Sequence, residues 1–296
     1  MQSEPPAWVD RWCEAFLGAR PSEVLFVVVH LSEVVGARLR DGREVVVKRR
    51  VDESGRAESC VTAQKLLAEG GFPCPLPLTP VVFGGGFAVH AERFVQGGEL
   101  DREDTPAAAA RSAALLADLV RRLSVAELDP PLPNPEWVRW DLPPERHAAS
   151  DVPEWIEETS RRVQAKLVGS GLPLVLGHAD WEAQNMRWQH GKPLVVHDWD
   201  SLAYLPEAAL AGTAAGIFAT HDEPTLAPLA SSEGFLEAYE LARGAGFSSH
   251  EREIAWAASI WEALHNARDE LIYNRPRLSF EQLKIQRAER LARARA

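Results

Sequence analysis

The stretch LPLVLGHADWEAQNMRWQHGKPLVVHDWDSLAYLPE, residues 172–207, is the most informative part of the sequence. Its pattern predicts a strand, a polar loop, a short strand, a Gly-Lys turn, an apolar strand and a second acidic loop. This order is expected to bring Asp180, Asn185 and Asp198 to the ends of paired strands. An aspartate can orient a hydroxyl group and accept its proton, and amide and carboxylate oxygens are hard ligands for Mg²⁺. The three side chains together are those that phosphoryl transfer requires.

Two motifs in this stretch carry a resemblance. Residues 178–185, His-Ala-Asp-Trp-Glu-Ala-Gln-Asn, have the H-x-D-x-x-x-x-N form of a kinase catalytic loop, and Asp-Trp-Asp follows at residues 198–200. Together they resemble the aminoglycoside phosphotransferase family, a branch of the kinase-like superfamily. That family usually has His-Gly-Asp in the loop, so Ala179 and the residues between Asp180 and Asn185 depart from the common wording without altering the chemical groups.

The resemblance implies a role for each polar residue of the motifs. Asp180 is the expected catalytic base or orienter, and Asn185 and Asp198 are the expected ligands of Mg²⁺. His178 is expected to support the loop structurally, and Asp200 to add a contact near the metal.

The N-terminal part predicts a small antiparallel sheet. Residues 24–50 show three β-prone runs with an Asp-Gly turn between the second and third, and a second hairpin surrounds three glycines at residues 84–86. Residues 58–69 have helical spacing. Where kinases carry a glycine-rich phosphate cover between the first two strands, this chain has Gly36 alone, so it departs from the kinase pattern at that place.

The resemblance also implies nucleotide contacts in this part. Lys48, at the end of the third strand, corresponds to the lysine that binds nucleotide α- and β-phosphates. Its expected partner is a helix glutamate, Glu58, in preference to Glu69 at the helix end. The segment AERFVQGG resembles a hinge, in which the backbone of Phe94 and Val95 is expected to bind the adenine edge.

Helical patterns dominate beyond residues 95–99. One helix is predicted after Asp104-Thr105-Pro106, and another from near Asp151-Val152-Pro153 to about Leu167. The sequence therefore predicts an α+β fold of two lobes, a nucleotide-binding lobe at residues 1–95 and a catalytic and substrate-binding lobe at 96–296. By resemblance this is the bilobal protein-kinase-like fold.

Composition limits the partners. The 296 residues carry a formal net charge of −11, which disfavours nucleic acid or an anionic membrane as the main partner, because both need a concentrated basic surface. A cationic substrate suits this charge, although solubility explains it as well. No signal peptide or membrane-spanning run is recognised, which predicts a cytoplasmic protein. The three cysteines lack C-x-x-C spacing and are expected to be reduced.

The leading hypothesis is a kinase that transfers the γ-phosphate of Mg-ATP or Mg-GTP to a hydroxyl of an aminoglycoside, an amino sugar or a similar small metabolite. A nucleotide-binding scaffold with little turnover is the alternative suggested by the missing glycine-rich cover. A third hypothesis takes His178-x-Asp180 and His197-Asp198 as a phosphohydrolase metal site, but adjacent strand residues point to opposite faces. Oligomeric state carries no signal in the sequence.

One late helix adds a further question. Glu262, His265 and Asp269 fall on one face of it, opposite its apolar residues. We interpret this face as solvated. If the substrate is a polyamine, these acids and the loop at residues 221–223 are the expected counter-charges.

Overall fold

The computed structural model describes residues 6–30, 32–129, 131–140 and 152–296. In chain order its helices are α1 (Ala7–Leu17), α2 (Ala57–Glu69), α3 (Pro106–Leu123), α4 (Glu154–Val168), α5 (Glu207–Ile217), α6 (Leu229–Arg243), α7 (Ser249–Ala258), α8 (Trp261–Ile272) and α9 (Leu278–Ala294). Its strands are β1 (Pro21–Val29), β2 (Glu33–Leu39), β3 (Glu44–Val51), β4 (Val82–Gly84), β5 (Phe87–Arg93), β6 (Leu174–His178), β7 (Met186–Gln189), β8 (Lys192–Val196) and β9 (Leu202–Pro206).

In the described part of the chain, the strands form three sheets. The first five strands make one antiparallel sheet in the order β1-β2-β3-β5-β4, and two-stranded sheets pair β6 with β9 and β7 with β8. The Asp41-Gly42 turn joins β2 to β3, and Gly42 takes a positive φ of 88°, which glycine adopts at little cost. The predicted α+β class, an antiparallel sheet followed by a mainly helical chain, is confirmed.

The chain divides into two compact units. The first contains Met1–Gly98, Ala126–Pro133 and Leu194–Asp200, and the second contains Glu99–Val125, Asn134–Pro193 and Ser201–Ala296. Residues 194–200 thus belong to the first unit although they are distant from it in sequence. The assignment of lobes to residues 1–95 and 96–296 stays a prediction.

In the first unit, α1 covers one face of the five-stranded sheet. Strand residues alternate between the two faces, and every second residue of β3, namely Val45 and Val47, enters a core that also contains Val9 and Cys13 of α1. Burial raises the pKa of the Cys13 thiol to about 12, so it stays protonated. Lys48 and Arg50 alternate with these residues and are therefore displayed on the opposite face of the sheet.

In the second unit, α5 is the central helix. All of its residues from Ala208 to Ile217 are buried, as expected for a helix that is apolar around its whole circumference. Gly212 and Gly216 allow it to approach α7, because an added Cβ would lie 2.1 Å from the carbonyl oxygen of Ala255 and 2.2 Å from that of Ser259.

The predicted helix ends in the second unit agree with the structure where it describes them. Thr105 caps α3 by accepting a hydrogen bond from the Ala108 amide, with Pro106 as the first helical residue. Helix α4 begins at Glu154, and Asp151, part of its predicted start, lies outside the described residues. Within the described ranges, no helix combines the length and apolar character needed to cross a membrane.

Candidate active site

The loop from His178 to Asn185 is anchored at both sides within the second unit. The Ala179 amide donates to the carbonyl of Ser201 at 2.8 Å, and the Gln184 amide donates to the carbonyl of Thr220 at 3.0 Å. Buried Trp181 donates its indole N–H to Ser112 Oγ at 2.9 Å, which ties the loop to α3. The tryptophan that departs from the common family wording therefore has a structural function.

His178 is also structural in character. Its side chain is buried, and its ring packs edge-on against Trp181 with centroids 5.6 Å apart. This position, at the end of β6 and beneath the loop, is consistent with the predicted supporting role.

Within the loop, Asn185 holds Asp180. The Asn185 amide nitrogen donates to Asp180 Oδ2 at 2.9 Å and to the Asp180 carbonyl oxygen at 3.0 Å. Both bonds use the amide nitrogen, so the amide oxygen is the atom left to act as a ligand. The structure thus brings together two of the predicted residues and fixes the rotamer of the carboxylate.

Glu262, in the first turn of α8, lies in the same electrostatic environment. Burial and the negative charge of Asp180 raise the pKa of Glu262 to about 7. The interpretation of this helix face as solvated is therefore wrong for Glu262, which is partly buried, although Asp269 on the same helix is exposed. His265 packs its ring against Trp261 of the same helix at 4.8 Å.

In the first unit, Lys48 pairs with a strand carboxylate. Lys48 Nζ lies 3.0 Å from Glu92 Oε1 of β5, whereas Glu58, the predicted partner, is exposed in the first turn of α2. The predicted pairing with Glu58 is therefore wrong. Its physical reason is strand registry: Lys48 lies directly opposite His90, so Glu92 is its diagonal neighbour on the same face of the sheet.

The charge of Lys48 is secured by this environment. Burial disfavours the ammonium, but the carboxylates of Glu92, Asp200 and Asp198 outweigh it, and the net effect raises the pKa of Lys48. Lys48 is therefore cationic at neutral pH, as a phosphate-binding lysine must be.

The predicted metal ligand Asp198 also belongs to the first unit. It adopts a left-handed φ of 63°, a strained conformation that aspartate tolerates better than most residues. The turn that follows is anchored by Trp199, whose indole N–H donates to the Val196 carbonyl at 2.9 Å and whose ring packs edge-on against Phe72.

Asp200 is held by arginines. Arg50 lies 2.5 Å from its carboxylate, and Arg56 donates to its carbonyl oxygen at 3.0 Å. Burial alone would raise the pKa of Asp200, but Arg50 and Lys48 hold it well below its usual range. Asp200 is therefore ionised and oriented by protein cations.

The hinge prediction needs one correction. The Phe94 amide donates to the Glu44 carbonyl at 3.2 Å, so this N–H already has a partner within the sheet, and the Phe94 carbonyl is the backbone group left to bind an adenine edge. The Phe94 ring instead packs against Phe26 of β1, with centroids 5.7 Å apart. The roles of the Phe94 carbonyl and of Val95 stay predictions.

The donor types suit magnesium. The carboxylate of Asp198 and the amide oxygen of Asn185 are hard oxygen ligands, and Mg²⁺ commonly takes one or two such protein groups together with nucleotide phosphates. Across the described ranges, no three histidine, cysteine, aspartate or glutamate side chains are grouped as a metal site.

Comparison with solved structures identifies the fold. The fold is similar to that of an amicoumacin kinase solved with AMP-PNP, Ca²⁺ and Ami, with a TM-score of 0.67, 12% identity, and coverage of 91% of this chain and 85% of that one. It is also similar to a spectinomycin phosphotransferase solved with ADP and spectinomycin (TM-score 0.61, 12% identity, coverage 99% and 94%). A third match is an aminoglycoside phosphotransferase from Alicyclobacillus acidocaldarius (TM-score 0.60, 12% identity, coverage 99% and 96%). At these identities the likeness establishes the fold, which is the kinase-like fold of small-molecule phosphotransferases.

The family follows from the sequence match. A family model described as the phosphotransferase enzyme family matches residues 34–244, well over half of the chain, and the chain belongs to that family. The resemblance to aminoglycoside phosphotransferases and the prediction of a phosphotransferase enzyme are thereby confirmed. No curated protein sequence matches the chain.

Two residues beside Lys48, Glu92 and Arg50, were not predicted from the sequence as site residues, and Glu262 was predicted only as a counter-charge for a polyamine. Glu92 is the one carboxylate of β5, and alternation alone would have placed it on the same face as His90. Arg50 lies two residues after Lys48 and shares its face by the same rule. The environment of Glu262 had no local signal, because its neighbour Asp180 is distant in sequence.

Proposed function

We propose that this phosphotransferase moves the γ-phosphate of magnesium-bound ATP or GTP to a hydroxyl group of a small molecule. The observation that carries the proposal is the Asn185–Asp180 contact, since a carboxylate fixed by an amide is the group that orients an acceptor hydroxyl. Asp180 accepts the hydroxyl proton while the acceptor oxygen bonds to phosphorus, and the nucleoside diphosphate leaves with the electrons of the broken bond.

The other residues bind and position the donor. Lys48 contacts the α- and β-phosphates, and Asn185 and Asp198 are the magnesium ligands. Bound Mg²⁺ would neutralise charge on the β- and γ-phosphates. The Phe94 carbonyl and the backbone of Val95 contribute hydrogen bonds to the nucleobase.

The acceptor is an aminoglycoside, an amino sugar or a similar small hydroxylated metabolite. Two observations support a cationic acceptor: the net charge of −11, and the compounds named with structures of the same fold, among them spectinomycin. Fold alone does not select among acceptors.

The test is a nucleotide-consumption screen. ATP or GTP with Mg²⁺ is offered with a panel of aminoglycosides, amino alcohols, sugars and hydroxy-amino acids. We expect at least one acceptor to be phosphorylated, and Asp180→Asn to lower kcat by about 10²–10⁴-fold. Asp129→Asn, a change at an exposed aspartate, is the matched control and should leave kcat unchanged.

The opposite results are equally informative. Nucleotide binding without turnover for any acceptor, and without hydrolysis that depends on Asp180, would favour the scaffold alternative. Absence of nucleotide binding would contradict the kinase and scaffold hypotheses together.

A further inference from the structure

Glu92 of β5 is the centre of a buried polar chain in the first unit. Its side chain is 1% exposed, and both of its oxygens have partners: Oε1 lies 3.0 Å from Lys48 Nζ, and Oε2 accepts a hydrogen bond from Gln64 Nε2 at 2.8 Å. Gln64, in α2, also donates to the Pro75 carbonyl at 2.8 Å. The carboxylate therefore joins a helix, a loop and two strands.

A carboxylate in such a position is costly unless each oxygen is satisfied. Gln64 supplies a neutral donor and Lys48 supplies the only charge that the described contacts place directly on it. His90 lies beside the pair, with Nε2 3.9 Å from Glu92 Oε2, but burial lowers the pKa of His90 to about 4 and keeps it neutral. Lys48 is thus the charged partner of Glu92, and His90 does not compete with it for the carboxylate.

The elements that carry the pair make it rigid. Lys48 and Glu92 stand on adjacent antiparallel strands, β3 and β5, in a continuous register from Val45–Arg93 to Val51–Phe87. Helix α2 contributes an amide at Gln64, and its first-turn glutamate, Glu58, is exposed. The position of the lysine is therefore set within the sheet and does not need a carboxylate from the helix.

We propose that Glu92 is the positioning residue of the phosphate-binding lysine, and that Gln64 orients Glu92 for this task. The inference rests on the proposed function, because it assigns Lys48 to nucleotide phosphates. The resemblance had implied that a glutamate of α2 positions the lysine. In the structure, Glu92 of β5 and the Gln64 amide of α2 take this role.

The experiment measures the dissociation constant of AMP-PNP with Mg²⁺, together with the KM values of nucleotide and acceptor. We expect Glu92→Gln to weaken AMP-PNP binding by about tenfold to a hundredfold, and to raise the nucleotide KM while the acceptor KM stays unchanged. Glu92→Asp, which keeps the charge but shortens its reach, should fall between wild type and Glu92→Gln. Glu58→Gln is the matched control and should bind as wild type does.

A second variant tests the orienting amide. Gln64→Met removes the donor to Glu92 while nearly conserving the side-chain volume. We expect Gln64→Met to weaken AMP-PNP binding by less than Glu92→Gln does, with the acceptor KM unchanged. Wild-type affinity for AMP-PNP in folded Gln64→Met would overturn the role of Gln64. If Glu92→Gln does not fold, the affinity of folded Glu92→Asp decides the role of Glu92.

The inference and the proposed function fail in different ways. Wild-type affinity for AMP-PNP in folded Glu92→Gln or Glu92→Asp overturns the role of Glu92 and leaves the kinase proposal intact. Wild-type protein that does not bind AMP-PNP with Mg²⁺ overturns the proposed function itself, and with it the inference.

Discussion

Single residues set the charge balance beside Lys48. Arg50 and Asp200 form an ion pair of 2.5 Å in which the arginine side chain is 12% exposed and the aspartate 38%. The pair is therefore intermediate between two cases. An exposed ion pair contributes little to the free energy of unfolding, whereas disrupting a buried pair leaves one charge buried without a partner. The ion pair with Arg50 also fixes the position of Asp200, two residues after the predicted metal ligand Asp198.

We therefore expect Arg50→Met to lower the free energy of unfolding by about 1–2 kcal/mol. Arg38→Met is the matched control, because Arg38 lies on the same sheet and pairs with Glu44 while being 45% exposed. It should cost less than about 1 kcal/mol. Urea unfolding of both variants measures the difference, and equal losses would show that burial of the Arg50 pair contributes nothing.

At the scale of elements, two helices in the second unit approach through glycines. The Cβ positions of Gly212 and Gly216 in α5 would lie within 2.1–2.2 Å of backbone oxygens of α7. Backbone atoms of a packed helix cannot turn aside as the end of a flexible side chain can, so the helices would have to separate.

We expect Gly216→Ala to destabilise the protein by about 1–3 kcal/mol or more. Gly234→Ala in α6 is the matched control, since the nearest atoms to its added Cβ belong to Pro106 and lie 3.3 Å or more away. At Gly234 the higher helix propensity of alanine should offset the cost of the contact with Pro106. The free energy of unfolding should therefore change by less than about 1 kcal/mol. Thermal unfolding compares the two, and a neutral Gly216→Ala would contradict the close packing of α5 on α7.

For the whole molecule, local sequence patterns predicted the fold class and the proximity of Asp180 and Asn185 in one loop. They did not predict contacts between neighbouring strands of the five-stranded sheet. Alternation in residues 24–50, the Asp41-Gly42 turn and the cap at Thr105 are local signals, and the structure contains the elements they predict. The spacing of Asp180 and Asn185 likewise lies within one loop.

The partner of Lys48 could not be predicted in this way. It depends on the lateral pairing of β3 with β5, which joins segments separated by a helix and a hairpin strand. A helix glutamate was expected, and nothing in the sequence of α2 showed that Glu58 faces solvent while Gln64 points inward. Lateral strand order is a property of the assembled sheet, so it becomes visible only in the structure.

Glu262 also gives the whole molecule a pH-dependent stability. Burial and Asp180 raise its pKa to about 7, whereas a glutamate in the unfolded chain has a pKa of roughly 4.3. Between these values the folded state binds more protons than the unfolded state, so the free energy of unfolding falls as the pH rises. The contribution of Glu262 is complete below about pH 4.3 and is lost by the time the pH exceeds about 7.

Glu262→Gln removes this ionisation while nearly conserving the side-chain volume. We expect the variant and the wild type to be equally stable below about pH 4.3, and the variant to be more stable by up to about 3–4 kcal/mol at pH 8. Urea unfolding at several pH values measures this difference, with Asp269→Asn, at an exposed position of the same helix, as the control with a flat difference. In an Asp180→Asn background the difference should shrink, because one of the two causes of the raised pKa has been removed. A difference that does not change with pH would show that Glu262 ionises freely in the folded protein.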